Sequence, residues 1–296
     1  RGRGLAPPPA NRHIHLDTFP IAGKPMPELP EVETTVRGLA LHLENRTITA
    51  ARTARPDMRR PFPEGLGQAL VGARVTSLGR RAKFGLIHTD RNQTLIFHLG
   101  MSGRWRIDPE SPDRHDHLTI ETETNRFALN DPRRFGWVDL VDTIALDSWP
   151  SFVSMGPEPL GPDLTAAYLK AALAGRRQAI KLLLLDQRIV AGLGNIYVCE
   201  ALWRARISPR RAGGRISLAA LERLVAAIRE VLEQSIRDGG SSLRDYARPD
   251  GELGYFATRF EVYGRTGEDC RRADDGRIAR IEQGGRSTWY CPVCQR

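Results

Sequence analysis

Apolar residues recur along this chain with two periods, and the change from one to the other divides it. Val32, Val36, Leu39 and Leu43 fall on one face of a segment that begins near Pro30, the spacing of a half-buried helix. Between residues 46 and 142 the pattern shortens to partial alternation. Arg74–Leu78, Phe84–Thr89, Thr94–Leu99, Leu118–Glu123 and Trp137–Asp142 are predicted strands, separated by Gly, Asp, Asn and Pro, and strands at this spacing favour a sandwich or barrel. Gly156–Asp163 is rich in breakers and predicts an interdomain linker. Helical spacing then returns over Thr165–Ala174 and Gln178–Asp186, and from a turn at Gly192-Leu193-Gly194 through Trp203. The clearest helix is Ser217–Asp238. Leu221, Leu224, Val225, Ile228, Val231 and Leu232 form its buried stripe, Ser217 caps it and Gly239-Gly240 ends it. The class is therefore α+β.

Residues 1–25 have a Pro run, several glycines and no apolar periodicity, which predicts disorder or loose packing. No apolar run reaches membrane-spanning length; the longest candidate, Ile180–Leu185, is interrupted by Lys181. The expectation is a soluble protein of two domains. A net charge of +9 and a pI near 9.9 suggest a polyanionic partner, although solvated basic faces produce the same balance. Cys199, Cys270, Cys291 and Cys294 are too few in a chain of 296 residues for a disulfide framework, so a reducing cytoplasm is the simpler expectation.

The stretch with the most chemistry is Met26-Pro27-Glu28-Leu29-Pro30-Glu31. A chain begun at Pro27 would carry a secondary amine able to condense with a sugar carbon, giving a cationic iminium that acts as an electron sink. Glu28 would stand beside the attacked carbon as a proton donor or shuttle, a role that favours a carboxyl of raised pKa. The same residues also make an ordinary helix start, with Pro in the first turn and acids at the positive end. Residues 1–26 are accordingly read as a disordered extension or an upstream segment, since an amide at Pro27 is not nucleophilic.

From Met26 to Arg296 the chain resembles the bacterial formamidopyrimidine-DNA glycosylases, repair enzymes of the Fpg/endonuclease VIII family that excise oxidised purines. The resemblance implies an N-terminal β-sandwich with flanking helices, a helical domain with a helix-two-turn-helix motif, and a zinc-ribbon-like hairpin. The matching boundaries are 27–155 for the catalytic sandwich, 156–162 for the linker, 163–258 for the helical domain and 259–296 for the hairpin. It implies that Pro27, Glu28, Lys83 and Arg286 are catalytic, Lys83 also touching the lesion-strand phosphate. The cations of Arg80-Arg81-Ala82-Lys83 would otherwise pass for a solvated turn.

By the same resemblance Met101, in His98-Leu99-Gly100-Met101-Ser102-Gly103, fills the space left by a flipped nucleotide. Arg133 and Phe135, in Asn130-Asp131-Pro132-Arg133-Arg134-Phe135-Gly136, are the other two wedges, with Arg134 nearer a phosphate. His115 and Arg176 match DNA-contacting positions. Lys181 matches one that reaches DNA or the lesion pocket, and Asn195 matches the phosphate ligand at the Gly-x-Gly turn. Glu31 and Glu200 match residues that help recognise the flipped base.

The tail has one firm half of a zinc ribbon, Cys291-Pro292-Val293-Cys294, and a first half that reads Cys270-Arg271-Arg272-Ala273-Asp274-Asp275. The family expects a second cysteine two or four residues beyond the first, where this chain has Ala273 and Asp275. A tetrahedral Zn(II) takes four ligands, so Cys270, Cys291 and Cys294 are expected to bind one structural zinc per monomer. Asp275 would be the fourth ligand, with Asp274 as the second choice, and a metal-free hairpin held by packing is the alternative.

The function so implied is DNA repair in a bacterial cytoplasm by a monomer acting on damaged double-stranded DNA. It excises 8-oxoguanine and formamidopyrimidines and cleaves the abasic strand by β,δ-elimination through a proline Schiff base. An endonuclease VIII-like enzyme for oxidised pyrimidines and a catalytically silent DNA-binding relative are the rivals.

Overall fold

The structure, a computed structural model, describes residues 27–240 and 259–296. The expected extension, 1–26, and the end of the expected helical domain, 241–258, lie outside the described residues. Helix α1 (Leu29–Leu43) leads into strand β1 (Ile48–Thr53), the short helix α2 (Leu66–Leu70), and strands β2 (Val75–Arg81), β3 (Phe84–Thr89), β4 (Gln93–His98), β5 (Arg104–Ile107), β6 (Asp116–Thr122), β7 (Arg126–Asn130) and β8 (Trp137–Asp142). These strands form two four-stranded antiparallel sheets, ordered β1-β6-β7-β5 and β2-β3-β4-β8.

The sheets face each other across a core that includes Ile48, Ile87, Leu95, Phe97, Trp105, Leu118, Phe127 and Val138. Phe97 and Trp105 meet edge to face across it with centroids 5.6 Å apart, the geometry aromatic quadrupoles prefer. The outer face of the second sheet is also buried. Phe84, Leu86, Ile96 and Trp137 pack there against Trp149 and against Phe152 of helix α3 (Pro150–Val153). With apolar residues on both faces, β3 and β4 lose strict alternation and read as nearly continuous apolar runs. Two of the three strands not anticipated, β1 and β5, are sheet edges carrying Arg52, Arg104 and Arg106, the charged character that keeps an edge from pairing further.

Helices α4 (Ala166–Ala172), α5 (Ile180–Leu185), α6 (Asn195–Arg204) and α7 (Leu218–Arg237) enclose a second core. The Ser217 hydroxyl caps α7 by accepting from Ala220 N–H. Leu221, Leu224, Ile228, Val231 and Leu232 are fully buried, each contributing roughly 1.5–3 kcal/mol by leaving water. A hairpin of β9 (Ala279–Gln283) and β10 (Arg286–Tyr290) closes the chain. Helix α1 joins the halves: Leu29 belongs to the helical core, whereas Val32, Val36, Leu39 and Leu43 belong to the sandwich core. The Pro27-Glu28 end of α1 is thereby seated between them.

Candidate active site

Pro27 and Glu28 are both buried, and Glu28 is 3% exposed. The Glu28 backbone N–H donates to the Glu31 carboxylate at 2.9 Å, closing the first turn of α1. Its carboxyl reaches across to the next domain, where Ile196 N–H, in the first turn of α6, donates to Oε1 at 3.1 Å. Two positive helix ends therefore converge on one carboxyl. Oε2 is buried with no hydrogen-bond partner among the described residues. Burial pushes the Glu28 pKa from 4.5 up to about 7, against the pull of Lys83. A carboxyl that shares its proton near neutrality is what a proton donor at a sugar requires.

The Gly192-Leu193-Gly194 turn explains how that carboxyl fits. A Cβ on Gly194 would lie 2.2 Å from the Glu28 carboxyl carbon, and one on Gly192, whose φ is +78°, would lie 2.7 Å from Leu29. The turn was expected to admit phosphate to the backbone; in the structure its two glycines make room for the first residues of α1.

Lys83 sits in the tight turn between β2 and β3 and is 9% exposed. Burial lowers its pKa; Glu28 opposes the shift and Arg286 adds to it. Lys83, Glu28 and Arg286 thus share one electrostatic pocket. The preceding cations are neither solvated nor aimed at a ligand. Arg80 pairs with Glu33 at 2.9 Å and Glu158 at 2.8 Å, and Arg81 pairs with Glu158 at 2.9 Å. Glu158 Oε1 also accepts from Ala82 N–H at 2.5 Å. Ala82 has φ +52°, a left-handed conformation disfavoured for a residue with a Cβ. The linker carboxylate therefore clamps the strained turn that presents Lys83. Phe84, next along, anchors it in the aromatic layer, with its ring centroid 5.5 Å from both Trp137 and Trp149.

On the opposite side the hairpin brings in Arg286. Asn195 Nδ2 donates to Ser287 O at 2.9 Å, while Lys181 donates to Ser287 O at 3.2 Å and to Thr288 Oγ1 at 2.6 Å. Lys181, expected at a position that reaches DNA or the lesion pocket, is completely buried and holds the hairpin beside α6. Glu200, expected to help recognise a flipped base, is fully buried, and its two oxygens accept from the N–H groups of Glu261, Val262 and Tyr263 at 2.9–3.0 Å. Glu31 is buried too, accepting from Glu28 N–H and, at 2.6 Å, from Tyr197 O–H, which also contacts Ser235 Oγ at 2.7 Å. Its place in the structure is under the Pro27-Glu28 turn. Sequence reasoning passed over Tyr197 and Glu158, because their partners are tens of residues away.

The expected wedges are brought together. Met101, Arg133 and Phe135 are half-buried, and the Arg133 guanidinium lies 4.8 Å from the Phe135 ring centroid. Their two loops are joined by Asp131, which is fully buried. Its Oδ1 accepts from Ser102 Oγ at 2.5 Å and Arg133 N–H at 3.2 Å, and its Oδ2 from Gly136 N–H at 2.7 Å. His115 is tied to the same staple through its carbonyl, which accepts from Asp131 N–H at 3.0 Å. Arg134 (φ +56°) is exposed on this turn. Arg176 is exposed on the separate turn between α4 and α5.

In the tail, one donor atom each from Cys270, Asp274, Cys291 and Cys294 lies within 4.8 Å of the others. Asp275 is exposed and outside the group, which corrects the expected fourth member. Ala273 and Asp275 both have positive φ, +51° and +54°, and the two reversals turn the intervening Asp274 inward. A Cβ on Gly276 would lie 2.5 Å from Cys291 Sγ and 2.8 Å from Asp274 Oδ1, so the loop closes over the donors only with glycine there. Soft thiolates with one carboxylate form a donor set that fits zinc.

The chain matches three family descriptions in succession: "Formamidopyrimidine-DNA glycosylase N-terminal domain" over residues 26–138, "Formamidopyrimidine-DNA glycosylase H2TH domain" over 155–247, and "Zinc finger found in FPG and IleRS" over 275–296. It is 75% identical over 271 residues to the formamidopyrimidine-DNA glycosylase of Erythrobacter litoralis, covering 92% of this chain and all of that one. A crystal structure of a Lactococcus lactis FPG variant with Fapy-dG-containing DNA superposes with TM-score 0.85 at 35% identity, and one of the Lactococcus lactis enzyme with abasic-site DNA gives the same values. Each covers 91% of this chain and all of the other.

Proposed function

The chain belongs to the formamidopyrimidine-DNA glycosylase family, and from that premise we propose that it excises oxidised purines, 8-oxoguanine and formamidopyrimidines, from double-stranded DNA and cleaves the abasic strand. The observation that carries the reading is Glu28. It is a buried carboxyl of pKa about 7, next to Pro27 and electrostatically coupled to Lys83.

Duplex DNA lies along the cleft between the domains, held by Arg and Lys contacts to phosphate with little sequence preference. The damaged nucleotide flips out, and Met101, Arg133 and Phe135 occupy its place. Arg134, His115, Arg176 and Asn195 contact the backbone. In a chain begun at Pro27 the amine attacks C1′ as the bond from C1′ to the base breaks, the base leaving with the amine proton; the bond from C1′ to the ring oxygen then opens as Glu28 gives its proton to that oxygen. The resulting iminium acidifies a C2′ proton; its loss expels the 3′ phosphate, and a second elimination expels the 5′ phosphate. Lys83 and Arg286 bind the departing phosphates and move protons. The tail carries a structural zinc, one per monomer, held by Cys270, Cys291 and Cys294, which fixes the hairpin bearing Arg286 and takes no part in the reaction.

The domains work as units at 27–155, 163–258 and 259–296, joined by the linker at 156–162. Among the described residues no helix is long and apolar enough to cross a membrane, and the protein acts on DNA in the bacterial cytoplasm as a monomer. The test is borohydride trapping on an 8-oxoguanine·cytosine duplex, using protein begun at Pro27 and verified by intact mass. A covalent adduct is expected. No adduct from protein with a free Pro27 would overturn the lyase chemistry, and a lesion panel preferring oxidised pyrimidines would overturn the substrate class.

A further inference from the structure

The interatomic distances in the tail are specific enough to choose among the carboxylates. A tetrahedral zinc with thiolates at about 2.3 Å and an oxygen at about 2.0 Å places neighbouring sulfurs about 3.8 Å apart and sulfur and oxygen about 3.5 Å apart. Asp274 Oδ2 lies 3.4 Å from Cys270 Sγ and 3.7 Å from Cys291 Sγ, and Cys270 and Cys294 sulfurs are 4.0 Å apart. These separations are the edges of such a tetrahedron.

We propose that Asp274 supplies the fourth ligand of a zinc site made of three thiolates and one carboxylate. This rests on the structural-zinc reading above but is independent of the DNA chemistry. The residues around the cluster fit that role. Gly276 N–H donates to Asp274 Oδ1 at 3.0 Å, which orients the carboxylate and leaves Oδ2 toward the metal, as an outer hydrogen bond does for ligating carboxylates. Trp203 Nε1 donates to Cys270 Sγ at 3.5 Å, stabilising a thiolate. Cys291 N–H is fixed by Gln295 Oε1 at 2.7 Å. Arg272, two residues before Asp274, donates to the Trp203 and Arg204 carbonyls at 2.9 and 3.0 Å and lies 4.1 Å over the Trp203 ring. The loop is thus docked on the C-terminal end of α6, where a cation is favoured, and this docking positions Asp274 from the protein side. An oxygen in place of a sulfur makes the site softer toward exchange than one of four thiolates.

The experiment uses the full chain, without DNA, and reads zinc content, zinc affinity by competition with a chromophoric chelator, and the thiolate-to-cobalt charge-transfer band after Co(II) substitution. Expected are one zinc per chain, a fall in affinity of at least about tenfold in Asp274→Ala, and no change in Asp275→Ala. In Asp274→Cys the affinity rises and the charge-transfer intensity grows by about one third, as three thiolates become four. Unchanged affinity in Asp274→Ala, a loss in Asp275→Ala, or a wild-type chain that takes up no metal would each overturn the assignment. Should Asp274→Ala unfold, an Asp274→Cys band no stronger than that of the wild type overturns it on its own. A failure of the glycosylase reading would leave all of these readouts untouched.

Discussion

The two functional regions of this molecule are built on opposite plans. Around Pro27 and Glu28 the groups proposed to react are themselves buried, and burial moves their protons: Glu28 is pushed up to about 7 and Lys83 down. At the wedge loops the acting side chains, Met101, Arg133 and Phe135, are half-buried, while the Asp131 that holds them is wholly enclosed. Chemistry on a sugar needs a desolvated proton donor, whereas invading a base stack needs side chains free to leave the protein surface on a frame that does not move. One region is costly to stability and the other supports it.

The largest test of that contrast is Glu28→Gln. Excision should fall by roughly 10²–10⁴-fold, the usual worth of a positioned acid, in single-turnover assays on 8-oxoguanine DNA. The stability effect has the opposite sign. Because burial raises the Glu28 pKa from 4.5 to about 7, the native state binds that proton more tightly than the unfolded chain. The associated stability is present in full below about pH 4.5 and is lost as pH rises through about 7, on the order of 3 kcal/mol by pH 8. Denaturant melts should therefore find the Gln variant more stable than the wild type at pH 8, with the advantage gone by pH 4. Equal stability at both pH values would remove the buried, proton-sharing carboxyl.

Gly194→Ala comes next. The added methyl would start 2.2 Å from the Glu28 carboxyl carbon, forcing the acid aside, and a misplacement near 1 Å costs about 10²-fold. A variant of wild-type rate and pH profile would show that the carboxyl does not depend on this turn.

Asp131→Ala separates the two regions. It leaves the buried Gly136 N–H and Ser102 O–H without their acceptor, at a cost of about 1–3 kcal/mol each, while Arg133 N–H keeps Ser102 Oγ. Excision from duplex should fall about tenfold or more, while cleavage of a preformed abasic site, which needs less flipping, should fall far less. Equal losses on the two substrates would place Asp131 in the chemistry instead. The smallest effect is expected for Arg134→Ala, at an exposed residue proposed to contact phosphate: binding weakens across all sequences, and the slope of log K against log salt decreases by about one. An unchanged slope would take Arg134 off the DNA.

Much of this architecture follows from local patterns. The α7 stripe with its Ser217 cap, the ends of β3 and β8, and the break near Gly156 depend on periodicity and turn chemistry, which neighbouring residues specify among themselves. The two edge strands of the first sheet, β1 and β5, were missed because charge, not alternation, marks them. Among the expected site residues, Glu28 and Lys83 come within electrostatic reach of each other beside Pro27, whereas Lys181 and Glu200 turn inward. A cation or carboxylate in a sequence has the same character whether it meets DNA or a backbone group folded against it.

What the sequence determined by itself, then, is the order of helical and strand segments and the residue types available for amine, acid and thiolate chemistry. Tertiary structure decided which of the clustered cations Arg80, Arg81 and Lys83 is left without an ion pair among the described residues, because Glu158 arrives from 77 or 78 residues away to take the first two. It also decided that Asp274, not its neighbour Asp275, faces the cysteines, because two left-handed residues flank it and only Gly276 lets the loop close. Spacing along a chain limits which groups can meet; the approach of distant backbone, measured in tenths of an ångström, selects among them.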